Sequence, residues 1–150
     1  MKRDKENLKM KREEIHSFCD DVNSFIHSHY RYKRDPVRVV NNGYVVQGKR
    51  ASFNLYLRWY PTESCSGKNT LEIGQVRFNP NRKGKGTSFL EFIANNSIKY
   101  CINTVVIEST NENSSAFAKK FGFEKDFKGY IHNWGISTKK LRKYFGLDTV

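Results

Sequence analysis

Apolar residues near the N-terminus recur at spacings of three and four, which is the periodicity of one helix face. The stripe includes Ile15, Phe18 and Ile26 and predicts an amphipathic helix that ends near Tyr30. Residues 1–14 are dense in charges of both signs, and we expect this segment to fray at its start before it enters the helix.

The next segment alternates between apolar and polar residues, as half-buried strands do. Runs rich in β-branched residues at Val37–Val40 and Tyr44–Gln47 flank the Asn-Asn-Gly of residues 41–43, and this arrangement predicts a hairpin. Ala51–Tyr60 then alternates with period two, which predicts a strand with one buried face. Because a polar loop, Pro61–Asn69, follows, we expect these strands to form an antiparallel meander.

The stretch Leu71–Phe123 reads as strand, glycine-rich turn, helix, strand and helix. Its first strand, Leu71–Phe78, contains Gly74, and a glycine inside a strand often marks a bulge or the close approach of another backbone. A helix is predicted over Thr87–Tyr100. The apolar run Thr104–Ile107 then predicts a buried strand, so the unit is expected to form a right-handed parallel crossover.

Alternation along the Leu71–Phe78 strand assigns its side chains to two faces. One face is expected to carry Leu71, Ile73, Gln75 and Arg77, and the other Glu72, Gly74, Val76 and Phe78. The helix termini are predicted from cap-forming residues. Thr87 or Ser88 is expected to cap the first helix, Ser114 or Ser115 to cap the second, and Gly122 to form the C-terminal turn of the second.

The turn Asn81–Thr87 has the composition of an anion-binding site. Gly84 and Gly86 allow a ligand to approach the backbone, and the first turn of the following helix offers N–H groups without partners. The turn also carries three cations, Arg82, Lys83 and Lys85. The pattern alone leaves open an ordinary strand–helix turn with solvated lysines.

The remaining sequence predicts closing elements at the C-terminus. Phe127–Ile136 is aromatic and β-rich, which predicts two antiparallel strands, and the strands around Trp134 could pair with a second copy of the chain. The basic run Lys139–Gly146 predicts a short helix.

Composition narrows the class of protein. The 150 residues carry a formal net charge of +12, which favours acidic partners such as CoA or nucleic acid. Three cysteines without a paired spacing are typical of reduced thiols, and no apolar stretch is long enough to cross a membrane, so we expect a soluble cytoplasmic protein. His27 and His29 do not share a helix face, and no metal site is expected.

The residues of Leu71–Phe123 resemble the core of the GNAT superfamily of acyl-CoA-dependent N-acyltransferases. The family's pyrophosphate loop, Q/R-x-x-G-x-G/A, falls on residues 81–86, with Asn81 at its first position. A later family pattern, an Asn followed by a helix that ends in Gly-Phe, falls on Asn111–Phe123. The resemblance implies an α/β fold with a mixed, mostly antiparallel sheet, one parallel strand pair and flanking helices, in a single domain over residues 1–150.

The resemblance also implies a function and a set of site residues. The function is transfer of an acetyl group from acetyl-CoA to a primary amine, with the pantetheine arm of CoA pairing with the central strand and the pyrophosphate lying on the glycine turn. The implied cofactor-binding residues are Val76, Arg77, Phe78, Arg82, Lys83, Gly84, Lys85, Gly86, Thr87, Asn111 and Ser114.

Acyl transfer needs a base for the amine, a donor for the oxyanion and an acid for the thiolate. Glu72 and Glu108 are the candidate bases, and family use of a Glu on the central strand favours Glu72. The alternative for Glu72 is a structural ion pair with a basic neighbour. Ala118 lies where many family members carry the Tyr that protonates the thiolate. Candidate acids in its place are Tyr130, His132, Ser109 and Ser115. Of these, we take Tyr130 as the catalytic candidate.

Two further readings remain open. One is a binding protein on the same fold that holds CoA or nucleic acid without turnover. The other is an acyltransferase whose acceptor is an RNA, a nucleic-acid base or an RNA-bound protein. Positive charge at both ends of the chain, and not only at the glycine turn, favours an acidic acceptor.

Overall fold

The computed structural model describes residues 2–40, 44–60, 69–79, 84–108, 112–126 and 133–147. The helices are α1 (Lys2–His29), α2 (Lys85–Asn96), α3 (Glu112–Lys120) and α4 (Thr138–Tyr144). The strands are β1 (Arg38–Val40), β2 (Val45–Lys49), β3 (Phe53–Tyr60), β4 (Thr70–Phe78), β5 (Thr104–Glu108), β6 (Glu124–Lys125) and β7 (Asn133–Ser137). None of the described helices has both the length and the apolar character that a membrane crossing requires.

The strands form a seven-stranded mixed sheet in the order β1-β2-β3-β4-β5-β7-β6. β1 to β4 pair antiparallel in sequence order, so the predicted meander is confirmed. Of the described strand pairs, β4 and β5 alone are parallel, and α2 connects them as the predicted crossover. The predicted fold class, a mostly antiparallel sheet with one parallel pair and flanking helices, is therefore confirmed.

One face of the sheet packs against the helices and forms the core. Alternate residues of β3 and β4, including Leu57, Trp59 and Leu71, belong to one buried cluster with the apolar stripe of α1. Buried side chains of α2 and α4 join the same cluster, as does Ala118 of α3. The other face of the sheet is polar where β3, β4 and β5 meet.

Gly74 is the site of a bulge, as its position in a strand predicted. Tyr56 of β3 lies opposite Gln75, but the next residue, Leu57, lies opposite Ile73, so β4 has one residue more than β3 at this point. A side chain at Gly74 would have its Cβ 3.0 Å from Cδ1 of Tyr56. The absence of a side chain therefore allows the two strands to remain paired.

The bulge makes the predicted face assignment wrong beyond Gly74. The extra residue shifts the alternation by one, so Val76 and Phe78 join Leu71 and Ile73 on the core face. Gln75 and Arg77 are exposed instead. Strict period two cannot describe a strand that contains one unpaired residue.

Both predicted helix N-caps are wrong. α2 begins at Lys85 with Gly84 as its N-cap, so Thr87 and Ser88 lie inside the first turn. α3 begins at Glu112, which places Ser114 and Ser115 inside the helix as well. Gly122 follows α3 with a φ of +84°, and its predicted role at the C-terminal turn is confirmed.

The hairpin and the closing elements follow the prediction with one change. β1 and β2 pair antiparallel around the predicted turn, whose residues 41–43 lie outside the described residues. β7 and α4 lie where a closing strand and a basic helix were expected. The other described closing strand, β6, comes earlier than the predicted stretch, and residues 127–132 are not among those described.

Candidate functional site

The backbone edge of β4 that faces β5 is only partly paired. β5 pairs with β4 from Thr70 to Ile73, and among the described residues this is the extent of the pairing. β4 itself continues to Phe78, where it still pairs with Phe53 of β3. Gly74–Phe78 therefore presents backbone N–H and C=O groups toward the gap beyond Ile107. Such an edge can accept another extended chain.

Gly84, the first described residue of the glycine turn, stands directly before α2. Gly84 has a φ of +68°, a conformation that favours glycine, and no atom of the described residues lies within 4 Å of the position a Cβ would occupy. The first bond of the helix runs from the N–H of Ser88 to the carbonyl of Gly84, at 3.0 Å. The N–H groups of residues 85–87 precede that bond, so they have no acceptor within the helix and form a site for an anion.

Gly86 brings α2 and α3 together at the same point. A Cβ at Gly86 would lie 3.2 Å from Cε2 of Phe117, an aromatic residue of α3. The first turn of α2 therefore packs directly on α3, and the space for a ligand lies in front of Gly84 and not behind Gly86.

Lys85 points toward the end of α1. Its Nζ lies 4.2 Å from the ring centroid of Tyr30, and the Tyr30 hydroxyl donates to the carbonyl of Asn79 at 2.9 Å. Burial lowers the pKa of His29 below its ordinary value, and the nearby charge of Lys85 lowers it further, as the smaller of the two causes. These contacts tie the C-terminus of α1 to the end of β4 and add a cation beside the glycine turn.

The two predicted carboxylates meet on the polar face of the sheet. The guanidinium of Arg58 on β3 lies between them, with Nη1 3.4 Å from Oε2 of Glu72 and in direct contact with Oε1 of Glu108. Arg58 also lies over the ring of Tyr56, with Cζ 5.1 Å from the centroid. Glu72 therefore has the ion pair that was its structural alternative, and the same arginine reaches Glu108.

Ala118 is fully buried within the core cluster. Its position on α3 leaves no exposed surface from which a larger side chain could reach a ligand without displacing neighbours. Ser115, one of the candidate acids, is half-buried on the same helix.

Several predicted site residues lie outside the described residues. They are Tyr130, Arg82, Lys83 and Asn111, together with the alternative acids Ser109 and His132. Ser114 lies in the first turn of α3, and its side chain is not described. The structure brings together the remaining predicted set in two groups. The first group lies at the end of β4 and the start of α2 and comprises Val76, Arg77, Phe78, Gly84, Lys85, Gly86 and Thr87. The second group, Glu72 and Glu108, lies on the polar face of the sheet.

No protein-family model matches the sequence, and no curated protein matches it. Solved structures do match. One is a Tyr-to-Phe variant of the toxin AtaT bound to the C-terminus of the antitoxin AtaR and to acetyl-CoA, at 14% identity and a TM-score of 0.51, with 70% of this chain and 74% of that chain covered. A second is the KacTA–DNA complex, at 16% identity and a TM-score of 0.51, over 69% of this chain and 72% of that chain. This chain has the GNAT fold.

A further match, with a lower TM-score, is to a protein described as a member of the GNAT family. It is a probable acetyltransferase of the GNAT family from Chromobacterium violaceum, at 17% identity and a TM-score of 0.43, over 64% of this chain and 60% of that chain. The fold rests on the AtaT and KacTA matches, whose identities of 14% and 16% show the fold alone, so the activity has to be inferred from the chemistry of the site.

Sequence reasoning missed Arg58 as a member of the site. The period-two alternation of Ala51–Tyr60 does place Arg58 on the polar face of that strand, together with Asn54 and Tyr56. The missing information was the register of β3 on β4, because the loop of residues 61–68 has no turn motif that fixes which residues face each other.

Proposed function

We propose that this chain is an N-acetyltransferase that transfers the acetyl group of acetyl-CoA to a primary amine. One observation carries the proposal. Among the described residues, the pairing of β4 with β5 ends at Ile73, and β4 is followed in the chain by Gly84 and the N-terminus of α2. A sheet edge suits an amide-bearing arm, and a helix N-terminus suits the phosphates at its end.

The proposal gives each part of the site a role. The backbone of Val76, Arg77 and Phe78 pairs with the amides of the pantetheine arm. The N–H groups of residues 85–87 bind the pyrophosphate, with Arg82, Lys83 and Lys85 supplying charge. Asn111, which precedes α3 in the chain, and Ser114, in the first turn of α3, are the further cofactor-binding residues that the family resemblance implies. The AtaT structure with bound acetyl-CoA, which shares this fold, supports the choice of cofactor.

The proposal also includes the group that protonates the departing thiolate. Ala118 cannot donate a proton, so Tyr130 or a hydroxyl such as that of Ser115 takes this role, or the thiolate leaves unassisted. A thiol has an ordinary pKa of about 8.5, so an unassisted thiolate is a competent leaving group near neutral pH.

Calorimetry with acetyl-CoA tests the cofactor site. We expect Gly84→Asp to weaken binding at least about tenfold, because a carboxylate beside the α2 N-terminus repels the phosphates. Gly84→Asn is the matched control, since it has nearly the same size and the same tolerance of positive φ but no charge. The Gly84→Asn variant should bind acetyl-CoA with an affinity within about threefold of that of the wild type.

Two outcomes would contradict the proposed site. Equal binding by Gly84→Asp and Gly84→Asn would mean that the pyrophosphate does not lie at this turn. A wild-type protein that does not bind acetyl-CoA would remove the cofactor and leave nucleic-acid binding as the leading function.

Nucleic-acid binding is the second candidate, and a specific surface favours it. The connector after α1 exposes Arg31, Lys33 and Arg34 next to half-buried Tyr30 and Tyr32. Cations that alternate with aromatic rings suit a phosphate backbone and stacked bases. An acyltransferase whose acceptor is attached to a nucleic acid would use this surface in addition to the acetyl-CoA site.

Salt dependence separates the two uses of positive charge. Binding of a fluorescent single-stranded RNA should weaken with a slope in log[salt] of about −0.7 for each phosphate neutralised. Replacement of Arg31, Lys33 and Arg34 by Gln should reduce that slope and leave acetyl-CoA affinity unchanged. A slope that does not change would exclude the connector as the contact surface.

A further inference from the structure

Arg58, Glu72 and Glu108 come from three neighbouring strands and meet on one face of the sheet. Arg58 of β3 lies opposite Glu72 in the antiparallel register, and Glu72 lies beside Val106 in the parallel register. Glu108 follows two residues later on the same face of β5. It comes just after Ile107, where the pairing of β4 with β5 ends. The cluster therefore lies at the start of the gap assigned above to the acyl donor.

Burial distinguishes the two carboxylates. The side chain of Glu72 is 1% exposed, whereas that of Glu108 is 25% exposed and that of Arg58 is 32% exposed. A charge as deeply buried as Glu72 requires a partner, and Arg58 is that partner. A base must reach the substrate directly or through one water, and Glu72 has no surface from which to do so.

We propose that Glu108 is the general base of this site, that Arg58 is the residue that positions it, and that Glu72 is the buried counter-ion that holds Arg58. The assignment rests on the acetyltransferase function proposed above. It reverses the preference for Glu72 that the family resemblance gave. Arg58 is fixed from two sides, by Glu72 and by the ring of Tyr56, so it offers Glu108 a partner of defined position.

The amine nitrogen attacks the thioester carbonyl, an N–C bond forms, and the C–S bond breaks with its electron pair leaving on sulfur. The proton lost by the amine passes to the carboxylate of Glu108, directly or through a water, and from there to solvent. Sulfur leaves as the thiolate and takes a proton from solvent or from the acid discussed above.

The described neighbours of Glu108 on this face come from β2, β3, β4, β5 and β7. The described residues that face the cluster are Tyr56 and Arg58 on β3, Glu72 on β4, Val45 on β2, Val106 on β5 and Asn133 on β7. Arg58 is the cation in direct contact with Glu108 among them. Loss of that cation should favour protonation of the carboxylate, so the acidic limb of the pH–rate profile should move to higher pH.

The test compares Glu108→Gln, Glu72→Gln, Arg58→Met and Arg58→Lys with the wild type. Acetyl-CoA affinity is measured by calorimetry, folding by urea unfolding, and acetyl transfer from acetyl-CoA to glycinamide and to water as CoA release. Glu91→Gln, an exposed carboxylate on α2, is the matched control and should behave as the wild type. Glu108→Gln should lower kcat about 100-fold or more, with acetyl-CoA affinity and the urea midpoint almost unchanged.

The Arg58 variants separate positioning from a purely structural role. Arg58→Met should lower kcat about tenfold and move the acidic limb upward, while Arg58→Lys, which keeps the charge, should return the limb toward its wild-type position. Glu72→Gln should mainly lower the urea midpoint. A structural role alone would change the midpoint and leave the pH profile where it was.

The outcomes also separate this assignment from the proposed function. Failure of the wild type to bind acetyl-CoA would overturn the function itself. Binding with wild-type kcat in Glu108→Gln, or a larger loss of kcat in Glu72→Gln, would overturn the assignment of the base and leave the cofactor site in place. Binding of acetyl-CoA by a wild type that transfers to neither glycinamide nor water above the uncatalysed rate would overturn both the base assignment and the transfer activity, and would leave only the cofactor site.

Discussion

Asn23 is a single side chain that joins α1 to the sheet. Its Nδ2 donates to the carbonyl of Val37 at 2.8 Å, and its Oδ1 accepts from the N–H of Val37 at 2.9 Å, so the amide pairs with the backbone as another strand would. Both residues are buried. Asn23→Ala would leave two buried backbone groups without partners, and we expect it to reduce the free energy of unfolding by about 2 to 4 kcal/mol.

Urea unfolding measures this loss, and two further variants sharpen it. Ser24→Ala, at an exposed neighbouring position whose hydroxyl donates to the carbonyl of Asp20, should change stability by less than about 0.5 kcal/mol. Asn23→Asp keeps the acceptor for the Val37 N–H but places an oxygen against the Val37 carbonyl, so it should also destabilise. Wild-type stability in Asn23→Ala would mean that water replaces the amide.

At the scale of a strand, the bulge in β4 decides which side chains face the core. Gly74→Val would place a branched side chain against Tyr56, whose Cδ1 is 3.0 Å and whose carbonyl oxygen is 3.4 Å from the Cβ position. We expect a loss of about 1 to 3 kcal/mol in the free energy of unfolding, since the neighbouring strand cannot move away without losing its pairing.

A double-mutant cycle tests whether Tyr56 is the cause. Tyr56→Ala combined with Gly74→Val should be less destabilised than the sum of the two single changes, by about 0.5 kcal/mol or more. Gln75→Val, at the exposed neighbouring position, serves as the control. Additive effects would show that the bulge, and not the tyrosine ring, excludes a side chain here.

The same elements show what the sequence could and could not predict. Local periodicity was enough for α1, the β1–β2 hairpin and the β4–α2–β5 crossover, because each depends on residues close together in the chain. The faces of β4 beyond Gly74 were predicted wrongly, since one extra residue inverts the alternation. The Arg58–Glu72–Glu108 cluster could not be predicted, because it depends on the register between strands separated by long connections.

The N-terminus of α2, at the glycine turn, shows a related limit of prediction from sequence. Ser and Thr are the usual N-cap residues, and Thr87 and Ser88 stood in the expected place. Gly84 instead provides the cap position through its left-handed conformation, so α2 begins two residues earlier than predicted. Side-chain preference identified the helix and the turn, while the backbone conformation of one glycine decided where the helix begins.

At the scale of the whole molecule, stability should depend on pH in the alkaline range. Burial raises the pKa of Cys19 from 9.0 to about 12, and the charges of Asp20 and Asp35 add to this effect. Between these two pKa values the folded chain therefore keeps the thiol neutral, whereas the unfolded chain ionises it. This contribution is complete below about pH 9 and is lost as pH rises toward the folded pKa, because the unfolded state then binds fewer protons.

Tyr100 acts in the same direction. Burial, together with a hydrogen bond to Asp21, raises its pKa above the ordinary value of 10.0, so its ionisation in the unfolded chain adds to the loss at still higher pH. Two buried acids that remain neutral in the folded state thus join α1 to the rest of the core, Cys19 through Val37 and Tyr100 through Asp21.

Urea unfolding between about pH 8 and pH 10 measures the effect. By pH 10 the wild type should lose about 1.4 kcal/mol more than Cys19→Ala, which lacks the buried thiol, whatever their difference at pH 8. Cys101→Ala is the matched control, because Cys101 is exposed and its thiol meets solvent in both states, so the wild-type slope should persist. A Cys19→Ala slope equal to that of the wild type would show that Cys19 ionises as readily in the folded chain as in the unfolded one.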